Sequence, residues 1–238
     1  MGFDSNHKRL PFVSIGGIPV LDSGNSLLVL DTGSPVSFAR SGVVSIDTDC
    51  VDVPTRTEVV DCDELSEFLG LRVDGLIGAD QLREHDLHLC LQEKWAVFTQ
   101  SNPETPNNPI LVETPSGLPV VRCVISNAQR RLVVDTGAKV SYLRSDLANE
   151  SSPLGPLTDF YPGVGSFRTQ QVSLNAQIAE APASPQAFGI APSAVERVLG
   201  AANLDGIVGM SWLGDWASLR LSCQNGWMVL SDRSDDRT

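Results

Sequence analysis

Two short runs in this chain combine residue types that can do acid–base chemistry, Asp31-Thr32-Gly33 and Asp135-Thr136-Gly137. Each follows an apolar stretch, Leu28-Val29-Leu30 in one case and Leu132-Val133-Val134 in the other. A carboxylate at the end of a buried strand is costly to desolvate unless it has donors or shares a proton with a neighbour. Two such loops brought face to face solve this jointly, because carboxyls in contact cannot both ionise and the pair then holds one proton and one negative charge. A water between them can lose a proton to the ionised acid while the protonated acid polarises a carbonyl oxygen, which is the chemistry of amide hydrolysis without a covalent adduct. Thr32 and Thr136 can bond across such a meeting point through their hydroxyls, and Gly33 and Gly137 let backbone N–H groups approach the carboxylates. The loops differ at the next residue, Ser34 against Ala138. A hydroxyl donated from Ser34 would favour the charged form of Asp31 and leave the proton on Asp135.

The elements that must position these loops repeat once along the chain. The loops lie 104 residues apart, and Asp74-Gly75-Leu76-Ile77-Gly78 matches Asp205-Gly206-Ile207-Val208-Gly209 at an offset of 131. Leu87-His88-Leu89 and Trp95-Ala96-Val97 then match Leu219-Arg220-Leu221 and Trp227-Met228-Val229 at 132. Each half reads as short strands around an Asp-Thr-Gly turn, a hydrophobic strand ending in Gly, a short helix (79–85 and 210–216) and a closing strand with a Trp. Trp95 and Trp227 read as core or inter-lobe packing. The expected organisation is an N-terminal lobe over 1–99, a connection rich in Pro, Asn and Thr over 100–117, and a C-terminal lobe over 118–238. With 20 Gly and 15 Pro in 238 residues and 42% hydrophobic residues, an all-β fold is expected, its two lobes related by a pseudo-twofold axis.

Composition narrows the partners. A net charge of −12 and a pI near 4.5 disfavour nucleic acid and anionic membranes. The apolar runs are far shorter than the roughly 20 residues a membrane helix needs, and residues 1–10 lack the apolar stretch of a signal peptide. The five cysteines at 50, 62, 90, 123 and 223 form no C-x-x-C pair, which disfavours zinc. Cys50 and Cys62 flank a polar stretch and either close a small disulfide loop or remain free; the compartment stays open with them. The histidines are His7, His85 and His88, none beside a Gly-framed Ser or a candidate Cys nucleophile, and neither G-x-S-x-G nor H-E-x-x-H occurs, so no Ser or Cys triad, metal or cofactor is expected.

The doubled, collinear pattern resembles the acid proteases, both the bilobal pepsin-like enzymes and the single-lobe retroviral proteases that act as homodimers. The resemblance extends over both halves. It implies that Asp31 and Asp135 are the catalytic pair of an aspartic endopeptidase, that Leu76-Ile77-Gly78 and Ile207-Val208-Gly209 thread beside them, and that a β-hairpin flap covers a peptide or protein substrate. Since one chain carries both loops, a monomer is expected. A peptide-binding module that kept the fold without the activity is the alternative, and a β-sandwich interaction domain with incidental turns a more distant one.

The halves are unequal in one respect. The second spends 27 more residues between its Asp and its Asp-Gly-x-x-Gly element. That insertion contains Tyr161-Pro162-Gly163-Val164-Gly165-Ser166-Phe167, whose Gly-x-Gly-Ser-Phe run resembles the flap tip of retroviral proteases, followed by a returning strand over 170–178. A glycine-tipped hairpin is expected there, with Tyr161 and Phe167 as candidate walls of a substrate pocket. The corresponding stretch of the first half, 45–69, with its acidic run Asp61, Asp63 and Glu64, reads as a solvated loop without a flap.

Overall fold

The computed structural model describes residues 7–46, 49–148, 151–162 and 164–232. Its architecture is set by a six-stranded antiparallel sheet that both halves build. The strand order is β1 (Leu10–Ile15), β9 (Trp95–Gln100), β8 (His85–Cys90), β18 (Ser218–Ser222), β19 (Trp227–Ser231), β10 (Ile110–Glu113). The pseudo-twofold runs between β8 and β18, where Leu89 pairs with Leu219 and His88 with Arg220. Trp95 and Trp227 sit on equivalent strands of this sheet, Trp227 buried and Trp95 half-buried. The connecting stretch over 100–117 contributes β10, which pairs with β19.

From this sheet each half builds the same unit. On one side β1 leads into β2 (Ile18–Asp22) and β3 (Leu27–Leu30). On the other, β10 leads into β11 (Val120–Ile125) and β12 (Ala128–Val134). Beside β3 runs β7 (Gly75–Ile77), parallel to it and antiparallel to β4 (Phe38–Ala39). Beside β12 runs β17 (Gly206–Val208), parallel to it and antiparallel to β13 (Ser141–Leu143). All three residues of β7, and of β17, are buried, which is why these strands appear in the sequence as unbroken apolar runs rather than alternating ones. One hydrophobic core runs through both halves, from Leu28 and Leu30 to Leu132 and Val134, with a smaller cluster in each half.

The halves part company between these elements. In the second, β14 (Ser152–Tyr161) and β15 (Gly165–Ile178) form a long hairpin whose return strand also pairs with β16 (Ser184–Ile190) and with β11. In the first, the topological counterpart is a separate two-stranded hairpin, β5 (Val43–Ile46) and β6 (Asp49–Asp52), whose Val44 and Ile46 are buried in the main core.

Three sequence expectations change. The stretch over 45–69 is not a solvated loop: it holds β6 and the helix α1 (Cys62–Leu69). Its acidic run is a capping box, in which Asp61 accepts from the Asp63 and Glu64 N–H groups and Glu64 accepts from the Asp61 N–H, and Gly70 closes the helix at φ 62°. A second helix, α2 (Ser193–Ala201), packs Val195 and Leu199 on the other half. The helix expected over 79–85 is a 3-10 turn at Gln81–Arg83, with His85 already in β8, and the one expected over 210–216 is α3 (Met210–Leu213). None of the five cysteines is disulfide-bonded: Cys50 is exposed and Cys62 buried in α1, where its Sγ donates to the Asp74 carbonyl. Among the described residues no helix is long and apolar enough to cross a membrane.

Candidate active site

The ends of β3 and β12 deliver the two Asp-Thr-Gly loops to the pseudo-twofold axis, and the threonines lock them together. Thr32 Oγ1 donates to the Val134 carbonyl at 2.6 Å and accepts the Thr136 N–H at 3.1 Å. Thr136 Oγ1 donates to the Leu30 carbonyl at 2.8 Å and accepts the Thr32 N–H at 3.1 Å. Both threonines are fully buried, so each of these four groups would be orphaned without its partner.

Within each loop one carboxylate oxygen is held by two backbone donors. Asp31 Oδ1 accepts from Gly33 N at 3.0 Å and Ser34 N at 2.9 Å; Asp135 Oδ1 accepts from Gly137 N and Ala138 N, both at 2.9 Å. The Ser34 hydroxyl does not reach Asp31. It donates to the Val36 carbonyl at 3.0 Å, so the donor to Asp31 is the Ser34 N–H, which Ala138 supplies equally well in the other loop. The glycines face across the axis: a Cβ on Gly33 would run into the Asp135 carboxyl, and one on Gly137 into that of Asp31.

The two carboxyls face each other across the axis, and each moves the other's ionisation. Burial raises the Asp135 carboxyl well above its usual 3.8, and the negative charge of Asp31 pushes it further. Burial also raises Asp31, but Asp135 and the loop N–H groups favour its charge. Both carboxyls are thus shifted towards protonation, Asp135, which is only 6% exposed, more strongly than Asp31.

Beneath the loops, Ser37 and Ser141 do a job that the sequence reading passed over. Ser37 Oγ accepts the Gly78 N–H at 2.8 Å, and Ser141 Oγ accepts the Gly209 N–H at 3.0 Å, tying each loop to the hydrophobic strand beside it. The signal was present, since Val36-Ser37 and Val140-Ser141 extend the repeat at its first offset.

Both acids open into a cleft of about 420 Å³. Its lining is mostly apolar: Ile18, Leu65, Phe68 and Leu76 from the first half, Phe160 and Tyr161 from the second. Of the residues expected at the flap tip, Tyr161 lines this cleft, and burial followed by the charges of Asp135 and Asp31 pushes its phenol upward. Gly165 pairs with Tyr161 and Ser166 with Phe160 in the hairpin ladder. Val164 and Phe167 pack instead on the second half's own cluster, Phe167 with its ring 6.1 Å from that of Tyr142. Gly163 lies outside the described residues. The hairpin is anchored near its tip, where the buried Tyr142 hydroxyl donates to Asp159. It is also anchored across the cleft, where Phe160 stacks on Phe68 of α1 with ring centroids 4.5 Å apart. No described residue of the β5–β6 hairpin lines the cleft. A larger hollow of about 680 Å³ lies against the six-stranded sheet, beside His88, Arg220 and Trp227, and neither acid lines it.

No protein-family model matches this chain, and no curated protein matches it in sequence. Solved structures do. An aspartic proteinase from Irpex lacteus is 13% identical with a TM-score of 0.51, over 96% of this chain and 98% of that one. A retropepsin-like aspartic protease from Rickettsia conorii is 15% identical with a TM-score of 0.37, over 51% of this chain and 87% of that one. This chain has the bilobal, all-β aspartic-protease fold.

Proposed function

We propose that the protein is an aspartic endopeptidase whose catalytic residues are Asp31 and Asp135, and that it acts as a monomer. The observation that carries this reading is the carboxyl pair, facing across the axis and open to a cleft of about 420 Å³. A water held by both acids gives a proton to the ionised Asp31 as it attacks the scissile carbonyl carbon, while Asp135 donates a hydrogen bond to the carbonyl oxygen. Transfer of the Asp135 proton to that oxygen completes a gem-diol, which collapses when the proton taken up by Asp31 passes to the amide nitrogen and a diol hydroxyl returns a proton to Asp135; the C–N bond breaks and the amine leaves. Thr32, Thr136, Gly33, Gly137 and the Ser34 N–H hold the acids in place and do not touch the reacting atoms. The β14–β15 hairpin, with Tyr161 at its cleft face, covers the substrate.

The test is cleavage of a mixed peptide library across acidic to neutral pH by the wild-type chain and by the Asp31→Asn and Asp135→Asn variants. Each substitution removes one half of the acid–base pair, so a loss of at least about 10³-fold in kcat/KM is expected for either. Wild-type binding of peptides without cleavage would mark the protein as a binding module instead, and activity surviving both substitutions would refute the mechanism.

A further inference from the structure

The cleft has one cationic side chain in its described lining, Lys139, and we infer that it selects substrates carrying an acidic side chain close to the scissile bond. This rests on the reading of the cleft as a peptide site. Lys139 follows the second Asp-Thr-Gly loop at the position where the first half has Pro35, also in the lining, so the positive charge falls on one side of the axis only. The exposed side chain makes no ion pair or side-chain hydrogen bond among the described residues. The other acids in the lining differ: Asp159 is occupied by the Tyr142 hydroxyl and the Phe160 N–H, and Glu58 is exposed.

Lys139 is not placed to tune the catalytic pair. Burial, each other and the loop N–H groups move the two carboxyls, and the Lys139 ammonium is not among the causes. Its stem is steered instead. A Cβ at Gly16 would stand 3.5 Å from Lys139 Cδ and 3.6 Å from Cε, so the aliphatic chain rests against the turn between β1 and β2, where Gly16 has φ +58°. The head group is thereby held from the opposite half of the molecule. In a chain of net charge −12 an acidic peptide gains nothing from the global field, so recognition depends on this local partner.

The experiment compares peptides that differ only by Glu, Gln or Lys at each position flanking the cleaved bond, read two ways: kcat/KM with the wild-type, Lys139→Ala and Lys139→Glu chains, and affinity for the same peptides with each of these in the Asp135→Asn background. At one position Glu is expected over Gln by roughly five- to tenfold at low salt, falling to parity in Lys139→Ala and reversing toward Lys in Lys139→Glu. The preference should weaken as ionic strength rises. A Glu preference that survives Lys139→Ala, or no preference at any position in either readout, overturns the inference. Loss of cleavage with the binding preference intact would count against the endopeptidase reading and leave this one standing.

Discussion

At the scale of single residues the site depends on groups that leave no room for change. Gly33 and Gly137 each lie against the carboxyl of the opposite loop, so Gly33→Ala should push the two acids apart. A loss of about 10²-fold or more in kcat/KM is expected, together with a stability cost of about 1–3 kcal/mol, measured by urea melts alongside the kinetics. Asp135 supplies a second expectation, of pH. Its carboxyl is raised well above 3.8 in the folded protein, so the folded chain holds that proton more tightly than the unfolded one. Its contribution to stability is complete below the unfolded value and is lost as pH rises through the raised folded value. Asp135→Asn cannot ionise, so its Tm relative to wild type should climb between pH 3 and pH 7; a difference that stays constant or falls would contradict the assignment. The acids themselves were legible because the tripeptide recurs. The Ser34 hydroxyl shows where such reading stops: its reach depends on a rotamer, and it turns to the Val36 carbonyl while the backbone N–H takes the role expected of it.

Elements carry the next layer, because loops this close to one another are held by what they hang from. The threonine interlock makes β3 and β12 one unit. Thr32→Val deletes a donor and an acceptor and strands the buried Val134 carbonyl and Thr136 N–H, at an expected cost of about 2–4 kcal/mol, whereas Thr32→Ser should keep most of the stability. Because the four bonds form one network across the axis, the Thr32→Val and Thr136→Val effects should be non-additive in denaturant melts. Across the cleft, α1 meets the long hairpin through the Phe68–Phe160 stack. Phe68→Ala should therefore lower hydrogen-exchange protection around Phe160 and Tyr161 and raise KM several-fold, with little change in the melting midpoint. The helix was written in the sequence as Asp61-x-x-Glu64 followed by Gly70, a capping box and a left-handed terminator, yet its acidic face reads equally well as a solvated loop. The short helices were overestimated because the segment after Gly78, capped by Asp80, makes a single 3-10 turn before β8 begins at His85, and α3 stops at Gly214.

For the molecule as a whole, the repeat was visible because strands buried on both faces appear as continuous apolar runs that recur in the same order, and the pseudo-twofold follows from it. The contact between Phe68 and Phe160 was not visible, since it joins α1 of the first half to the long hairpin of the second, elements that the repeat does not align with one another. The six-stranded sheet and the core common to both halves tie their unfolding together, so far-UV circular dichroism and tryptophan fluorescence should report one coincident thermal transition; two separated midpoints would show halves that fold independently. The same axis that unites the halves creates the shared proton, and the dependence of kcat/KM on pH for one cleaved peptide reads that proton directly. The profile should be bell-shaped, rising as Asp31 ionises and falling as Asp135 loses its proton, with the falling limb well above the usual carboxyl range of 3.8. A rate that climbs without a maximum into the alkaline range would contradict a pair of acids holding one proton.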